Sequence, residues 1–367
     1  MSGSIFGTIF RVSTWGESHG AGVGAVIDGC PAGLPLNEED IQKYLDRRKP
    51  GSSKFTTARN EGDRVKILSG VFEGKTEGTP ISLIVENKDQ RSKDYGNIAE
   101  LYRPGHADYT FDKKYGFRDY RGGGRSSARE TVGRVAAGAV AAKFLSGLDI
   151  EIDTYVKSIG PYTVPDDAVD IRYSKENPLC LADKETYEKA SEYVSKLIEE
   201  GDSAGGVIEC RIKGLPAGIG EPVFDKLDAE LAKSMLSIGA VKGFELGDGF
   251  CVSVSRGSEN NDEFISNSGI ISKATNHSGG TLGGISDGSE IIFRTAFKPT
   301  PSISKMQHTV NKNGEHTELT IKGRHDPLVV PRAVVVVETM AALTVTDLML
   351  RNLSSQYTLI KNFYMNK

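Results

Sequence analysis

Three consecutive glycines, Gly122–Gly124, run into a serine pair and then into a long run of small apolar side chains. The stretch is Arg121-Gly-Gly-Gly-Arg-Ser-Ser-Ala-Arg-Glu-Thr131, and it continues as RVAAGAVAAKFLSGL. A segment this rich in alanine and glycine is expected to be a helix whose backbone lies close to its neighbours. Ser127 and Glu130 have the Ser-x-x-Glu spacing of a capping box, so the helix is expected to span Ser126 to Leu148. Glycines let a backbone approach a ligand closely. A helix N-terminus adds unpaired N–H groups and partial positive charge. Arg121, Arg125 and Arg129 add full charges with bidentate geometry. Together these point to a held anion, most simply a phosphate. The plainer reading is a capped helix with solvated arginines.

Composition narrows the choice. Forty-two glycines favour turns and close backbone approaches over long helical bundles. The formal net charge of -4 gives no global basic field for nucleic acid. Positive charge is local: eight Lys/Arg against three acids between Lys43 and Lys66. That pattern fits a small polyanion or a solvated basic loop. Cys30, Cys180, Cys210 and Cys251 are too scattered for a metal-ligand pair. No signal pattern opens the chain, and no apolar stretch reads as a bilayer span. The most apolar segment, Ala333 to Leu350, carries Glu338 and Asp347 and reads as a buried helix. A cytoplasmic protein with free thiols is expected.

In chain order, Ser4 to Ser13 reads as a strand running into Trp15-Gly-Glu-Ser-His-Gly20, with Gly22 to Asp28 as its hairpin partner. His19 suits a general acid, a phosphate ligand or a turn histidine. A Ser18–His19 hydrolase pair is weak, because adjacent side chains rarely face each other and Gly-x-Ser-x-Gly is absent. Asn37 to Arg48 has helix caps. Arg64 to Phe72 and Thr79 to Glu86 read as strands. Arg103-Pro-Gly-His-Ala-Asp108 sets His106 beside a cation, which lowers a histidine pKa. Tyr109, Phe111, Tyr115, Phe117 and Tyr120 form an aromatic run. Helices are expected at Asp183–Glu200, Asp225–Ile238 and Arg332–Arg351, and strands at Val207–Lys213 and Glu290–Ala296. A second glycine-rich stretch, Ser278 to Gly288, precedes a strand, so it is no dinucleotide fingerprint. No linker divides the chain, and one mixed α and β domain over residues 1–367 is expected.

Taken together, GESHG, RRKPG, DQRS, RPGHADYT, DYRGGGRSSARET, GGISDG, KPTPS and GRHDP, in this order over nearly the full length, resemble the chorismate synthase family. The resemblance implies an α+β fold, the family's β-α-β sandwich, assembled as a homotetramer. It implies a lyase that removes phosphate and a proton (an anti-1,4-elimination) from 5-enolpyruvylshikimate 3-phosphate to give chorismate, on the way to the aromatic amino acids. Reduced FMN is required without net redox change, and NADPH is a candidate reductant. No nucleic acid, membrane or metal is expected.

By the same resemblance, His19 donates a proton near the leaving phosphate and His106 keeps the reduced flavin correctly protonated. Asp326, with Ser18 relaying, takes a proton from the flavin system. Arg48, Lys54, Arg103, Arg129 and Arg324 bind anionic groups. Arg125, Ser126, Ser127, Gly239, Ala240, Gly283, Lys298, Pro299, Thr300, Pro301, Ser302 and Arg324 match FMN-binding positions. Two departures stand out: Lys54 replaces a usual arginine, and Gly239 a frequent asparagine. Two rivals remain: a flavin-dependent oxidoreductase acting on a phosphorylated small molecule, and a non-catalytic polyanion or RNA binder using the 43–66 cluster.

Overall fold

The structure, a computed structural model, describes residues 3–49, 51, 55, 62–87, 99–121, 123–321 and 326–365. The first sheet takes strands β1 (Ile5–Phe6), β2 (Arg11–Gly16), β3 (Gly22–Asp28), β4 (Val65–Ser69) and β5 (Ile81–Glu86) in the order β1-β2-β3-β5-β4. The second takes β6 (Glu151–Ile159), β7 (Tyr162–Thr163), β8 (Gly206–Lys213), β9 (Val241–Leu246) and β10 (Ile291–Phe297) in the order β9-β10-β8-β6-β7. Neighbours in both sheets run antiparallel.

The longer helices up to residue 352 are α1 (Glu38–Arg48), α2 (Asp108–Tyr115), α3 (Thr131–Ser146), α4 (Lys184–Glu199), α5 (Leu227–Leu236) and α6 (Val330–Asn352). Helix α3 packs on β2, β3 and β5, α6 packs on β6 and β8, and the two helices pack on each other. Helix α1 joins α3 and α6, and α5 joins α6 and β9. The result is a β-α-β sandwich: each sheet buries one face against a shared helical layer.

Small residues allow that layer. A Cβ placed on Gly138 of α3 would lie 2.4 Å from the Cβ of Thr339 in α6 and 2.5 Å from its carbonyl oxygen. One on Gly133 would lie 2.6 Å from the Gly24 oxygen of β3. Helix α3 therefore touches a sheet through one glycine and a helix through the other. Every residue of α6 from Val330 to Leu348 is buried except Arg332. By length and composition alone this helix could cross a membrane, against the expectation from sequence. Yet 89% of its most apolar window is covered by the fold, as expected of a buried core helix.

Several boundaries differ from expectation. The Ser4–Ser13 strand is broken at Gly7 (φ +89°), where a Cβ would lie 2.2 Å from the Phe10 oxygen. The N–H groups of Thr8, Ile9 and Phe10 leave the sheet and donate to Asp347 Oδ1 of α6 at 2.9, 2.7 and 2.9 Å. Helix α3 starts at Thr131, after two short 3-10 turns at Gly124–Ser126 and Ala128–Glu130. The Ser127–Glu130 capping box does not form. Ser127 Oγ accepts from Arg129 N at 3.3 Å, and Glu130 accepts instead from Arg134 and from Thr14 Oγ1. Arg64–Phe72 splits into β4 and a two-residue strand, Val71–Phe72. Strands β6 and β9 were not read from sequence. The Asn37 box, by contrast, forms with Asp40 at 3.0 and 3.2 Å.

Gly138→Ala should destabilise the fold by about 2–3 kcal/mol through overpacking at the α3–α6 crossing. Urea unfolding measures this, and an unchanged midpoint would contradict so close a crossing.

Candidate functional site

The turn carrying Ser18 and His19 joins β2 to β3, with Gly20 N donating to Glu17 O at 3.2 Å. Ser18 Oγ and His19 Nδ1 lie 3.1 Å apart, so these adjacent side chains do face each other. The sequence reading held that unfavourable; the tight turn puts both on one side. The turn lies against the glycine-rich loop, since a Cβ on Gly124 would sit 3.7 Å from Glu17 Oε2.

From this turn a series of polar contacts runs across the molecule. Asn87, just past β5, donates Nδ2 to the carbonyls of Glu17 (2.8 Å) and Gly20 (2.9 Å). Its Oδ1 accepts from Arg129 Nε at 2.9 Å. Arg129 Nη1 donates to Asp63 Oδ1 at 2.5 Å, and Arg48 Nη2 donates to Asp63 Oδ2 at 2.8 Å. Arg332 donates Nε to the Arg48 carbonyl at 3.0 Å and Nη1 to Asp326 Oδ2. Arg48, Arg129, Asp326 and the His19 turn, far apart in sequence, thus belong to one network. Asp63, Asn87 and Arg332 are the members that sequence reading missed. Asp63 and Asn87 belong to none of the motifs, although Asn87 stands two positions before DQRS; Arg332, just after Pro331, reads as an ordinary first-turn residue.

Burial gives the network its character. Burial pushes the Asp63 carboxyl up, but the guanidiniums of Arg48 and Arg129 outweigh it and hold the group below the usual carboxylate range. Arg48 is drawn down to about 10 by its own burial, against the opposing pull of Asp63. Its Nε has no hydrogen-bond partner among the described residues. Among the described residues, three arginines (Arg48, Arg129, Arg332) meet two aspartates (Asp63, Asp326), so the cluster is net positive.

A second set of loops meets the first at Arg103. Arg103 Nε and Nη2 form a bidentate pair with Asp108 at 2.8 Å each. A Cβ on Gly123 would lie 3.9 Å from Arg103 Nη2, so the glycine-rich loop abuts this pair. His106 Nδ1 is 3.0 Å from the Pro104 oxygen, and Nε2 is 2.9 Å from Ser302 Oγ. A carbonyl only accepts, so the ring proton sits on Nδ1, and Nε2 accepts from Ser302 when the ring is neutral. Burial first, then the Arg103 charge, lowers the His106 pKa to about 4, the direction expected from sequence.

Lys298 Nζ donates to Gly105 O at 2.7 Å, and Lys298 N donates to Ala240 O at 2.9 Å. A Cβ on Gly105 would lie 2.7 Å from Pro301 Cβ. Pro299 lies against Gly205. The structure therefore brings Ser126, Ser127, Arg103, His106, Gly239, Ala240 and residues 298–302 into one contiguous group. Gly283 stands apart. Gly284 O accepts from Leu227 N at the start of α5, whereas Gly239 follows its end. Ten helical residues separate them by roughly 15 Å. Lys54 and Arg324 lie outside the described residues.

The arginines of the glycine-rich stretch do not converge on one point, as the sequence reading expected. Arg121 pairs with Asp119 at 2.9 Å on the surface. Arg125 donates to Gly16 O, Ser4 Oγ and Thr14 Oγ1, at 3.3, 3.2 and 2.8 Å, and braces the first sheet. Only Arg129 enters the buried network. Of the aromatic run, Tyr109, Tyr115, Phe117 and Tyr120 are exposed.

Keeping His106 neutral adds stability that is complete above its unfolded pKa of 6.5 and lost as pH falls toward about 4. In NMR titration the ring should stay in the Nδ1–H form down to about pH 5, and His106→Gln should flatten the acid-side loss of stability. A midpoint near 6.5 would contradict the buried geometry.

A family model described as chorismate synthase matches residues 10–350. Among curated relatives, a chorismate synthase from Lachnospira eligens is 63% identical over 364 residues, covering 99% of this chain and 100% of the relative. One from Lachnoclostridium phytofermentans is 64% identical over 365 residues, with coverage of 99% and 100%. One from Methanosarcina mazei is 54% identical over 355 residues, with coverage of 96% and 97%. A solved structure, a crystal structure of chorismate synthase, superposes with a TM-score of 0.77 at 32% identity, covering 98% of both chains. The contiguous loops and full-length similarity agree: the chain belongs to the chorismate synthase family, lyases of the shikimate pathway that act on a phosphate.

Proposed function

We propose that the chain works as a single domain in a homotetramer, converting 5-enolpyruvylshikimate 3-phosphate to chorismate by anti-1,4-elimination of phosphate and a proton. The observation that carries this is the network from Asp326 through Arg332, Arg48, Asp63 and Arg129 to the His19 turn. The substrate bears a phosphate and two carboxylates. A net positive cluster of fixed guanidiniums suits it, because bidentate donors both hold and orient such groups. His19 donates a proton to the departing phosphate, and the Ser18 hydroxyl orients its ring. Asp326, held by Arg332, is the final acceptor of the proton that the substrate loses in the elimination.

The residues at the second group of loops fit reduced FMN. Thr300 Oγ1 is buried with no hydrogen-bond partner among the described residues, a hydroxyl left for a ligand. A Cβ on Gly239 would meet open space, which leaves room beside Ala240. Ser126, Ser127, Ala240 and residues 298–302 would hold the group, with His106 Nε2 accepting from the Ser302 hydroxyl and fixing its position. When bound, reduced FMN supplies electron density to the substrate ring as phosphate leaves, without net redox change. His106, neutral at physiological pH, accepts a hydrogen bond and holds the proton inventory of that pocket fixed. Arg125 and Gly283 also match FMN-binding positions; within the chain the first braces the hairpin and the second closes a turn near the start of α5.

Anaerobic assay with photoreduced FMN should yield many chorismates and phosphates per flavin, and oxidised FMN should yield none. Product in proportion to flavin oxidised would instead support an oxidoreductase. His19→Ala should cut turnover by roughly 10²–10⁴-fold while the protein stays folded; a near-normal rate would remove His19 from the chemistry.

A further inference from the structure

Asn87 is built into the molecule from both sides. Its backbone N–H donates to Ala21 O at 3.1 Å and extends the β3–β5 ladder by one residue. Its side-chain amide has two N–H groups, and both are used: one on Glu17 O, one on Gly20 O, the two ends of the Ser18–His19 turn. Its oxygen faces the Arg129 guanidinium. The amide orientation is forced, since carbonyls only accept and a guanidinium only donates. No other neutral side chain of this length offers two donors to one side and an acceptor to the other.

We infer that Asn87 is a positioning residue that sets the His19 turn relative to the anion-holding Arg129. The inference rests on the reading of His19 as proton donor, and it names a residue that the motifs do not include. Arg129 is itself fixed by Asp63 at 2.5 Å, so the amide transmits a position and not merely a contact. Proton donation to a leaving group depends steeply on placement: about 1 Å of error costs on the order of a hundredfold in rate.

Two substitutions test the amide. Asn87→Ala removes both donors to the turn and the acceptor for Arg129 without adding charge, and should lower kcat about tenfold or more. Asn87→Asp also loses both donors and places a carboxylate on Arg129, so it should lower kcat as much and raise KM for the anionic substrate as well. Each variant is also made in a His19→Ala background. If Asn87 acts through His19, it should cost little further rate there. Independently of turnover, the His19 ring resonance, identified by its loss in His19→Ala, should shift in Asn87→Ala protein without substrate or flavin. An equal kcat loss with and without His19, or an unmoved His19 resonance in a folded variant, would overturn the inference. Absence of chorismate formation by the wild-type protein would sink the functional reading alone, and the resonance would still decide the role of Asn87.

Discussion

A single carboxylate, that of Asp63, sits fully buried between two guanidiniums. Arg48 could not be held inside without it, because an uncompensated buried charge would take up water or force the structure open. With Asp63 ionised between them, the two arginines become fixed points. Arg48 then receives Arg332 on its backbone carbonyl, and Arg332 holds Asp326. Arg129 receives Asn87, and Asn87 holds the His19 turn. The loops of the proposed site are arranged around this charge cluster, not around the glycine-rich loop that first draws the eye.

The scaffold lets such a cluster exist. Helix α1 delivers Arg48, and the first turn of α6 delivers Arg332 to the same place. Thr131, at the start of α3, accepts from Arg48 Nη1 at 3.4 Å. These three helix ends meet because α3 and α6 cross at glycine contact distance. Larger residues at Gly133 or Gly138 would spread the layer and pull the ends apart. Packing deep in the sandwich thus sets the geometry of a polar site at its edge.

Much of this was legible before the structure. The capped α1, the buried α6 and the small-residue α3 followed from caps, apolar runs and composition. The motifs named the family, and they pick out His19, His106, Arg48, Arg129, Asp326 and the 298–302 loop as the proposed site. What was not legible is telling. Asp63 and Asn87 are ordinary residues beside strands, and their roles come from partners 15 to 70 positions away. Asp347 breaks the first strand from more than 330 positions away. Arginine direction was equally hidden: Arg121, Arg125 and Arg129 are spaced alike but take different partners. Local sequence reports propensity and spacing; long-range pairing of charges is a property of the finished fold.

The most direct test of Asp63 as the organising charge is a double-mutant cycle in urea unfolding, using Asp63→Asn, Arg48→Met and the pair. Asp63→Asn alone should cost about 3 kcal/mol or more, because it leaves Arg48 buried without a counter-charge. The double variant should recover a large part of that loss, since the stranded charge is gone. Asp63→Asn as stable as the wild type, or losses that simply add in the double variant, would show that the rest of the structure does not depend on this carboxylate.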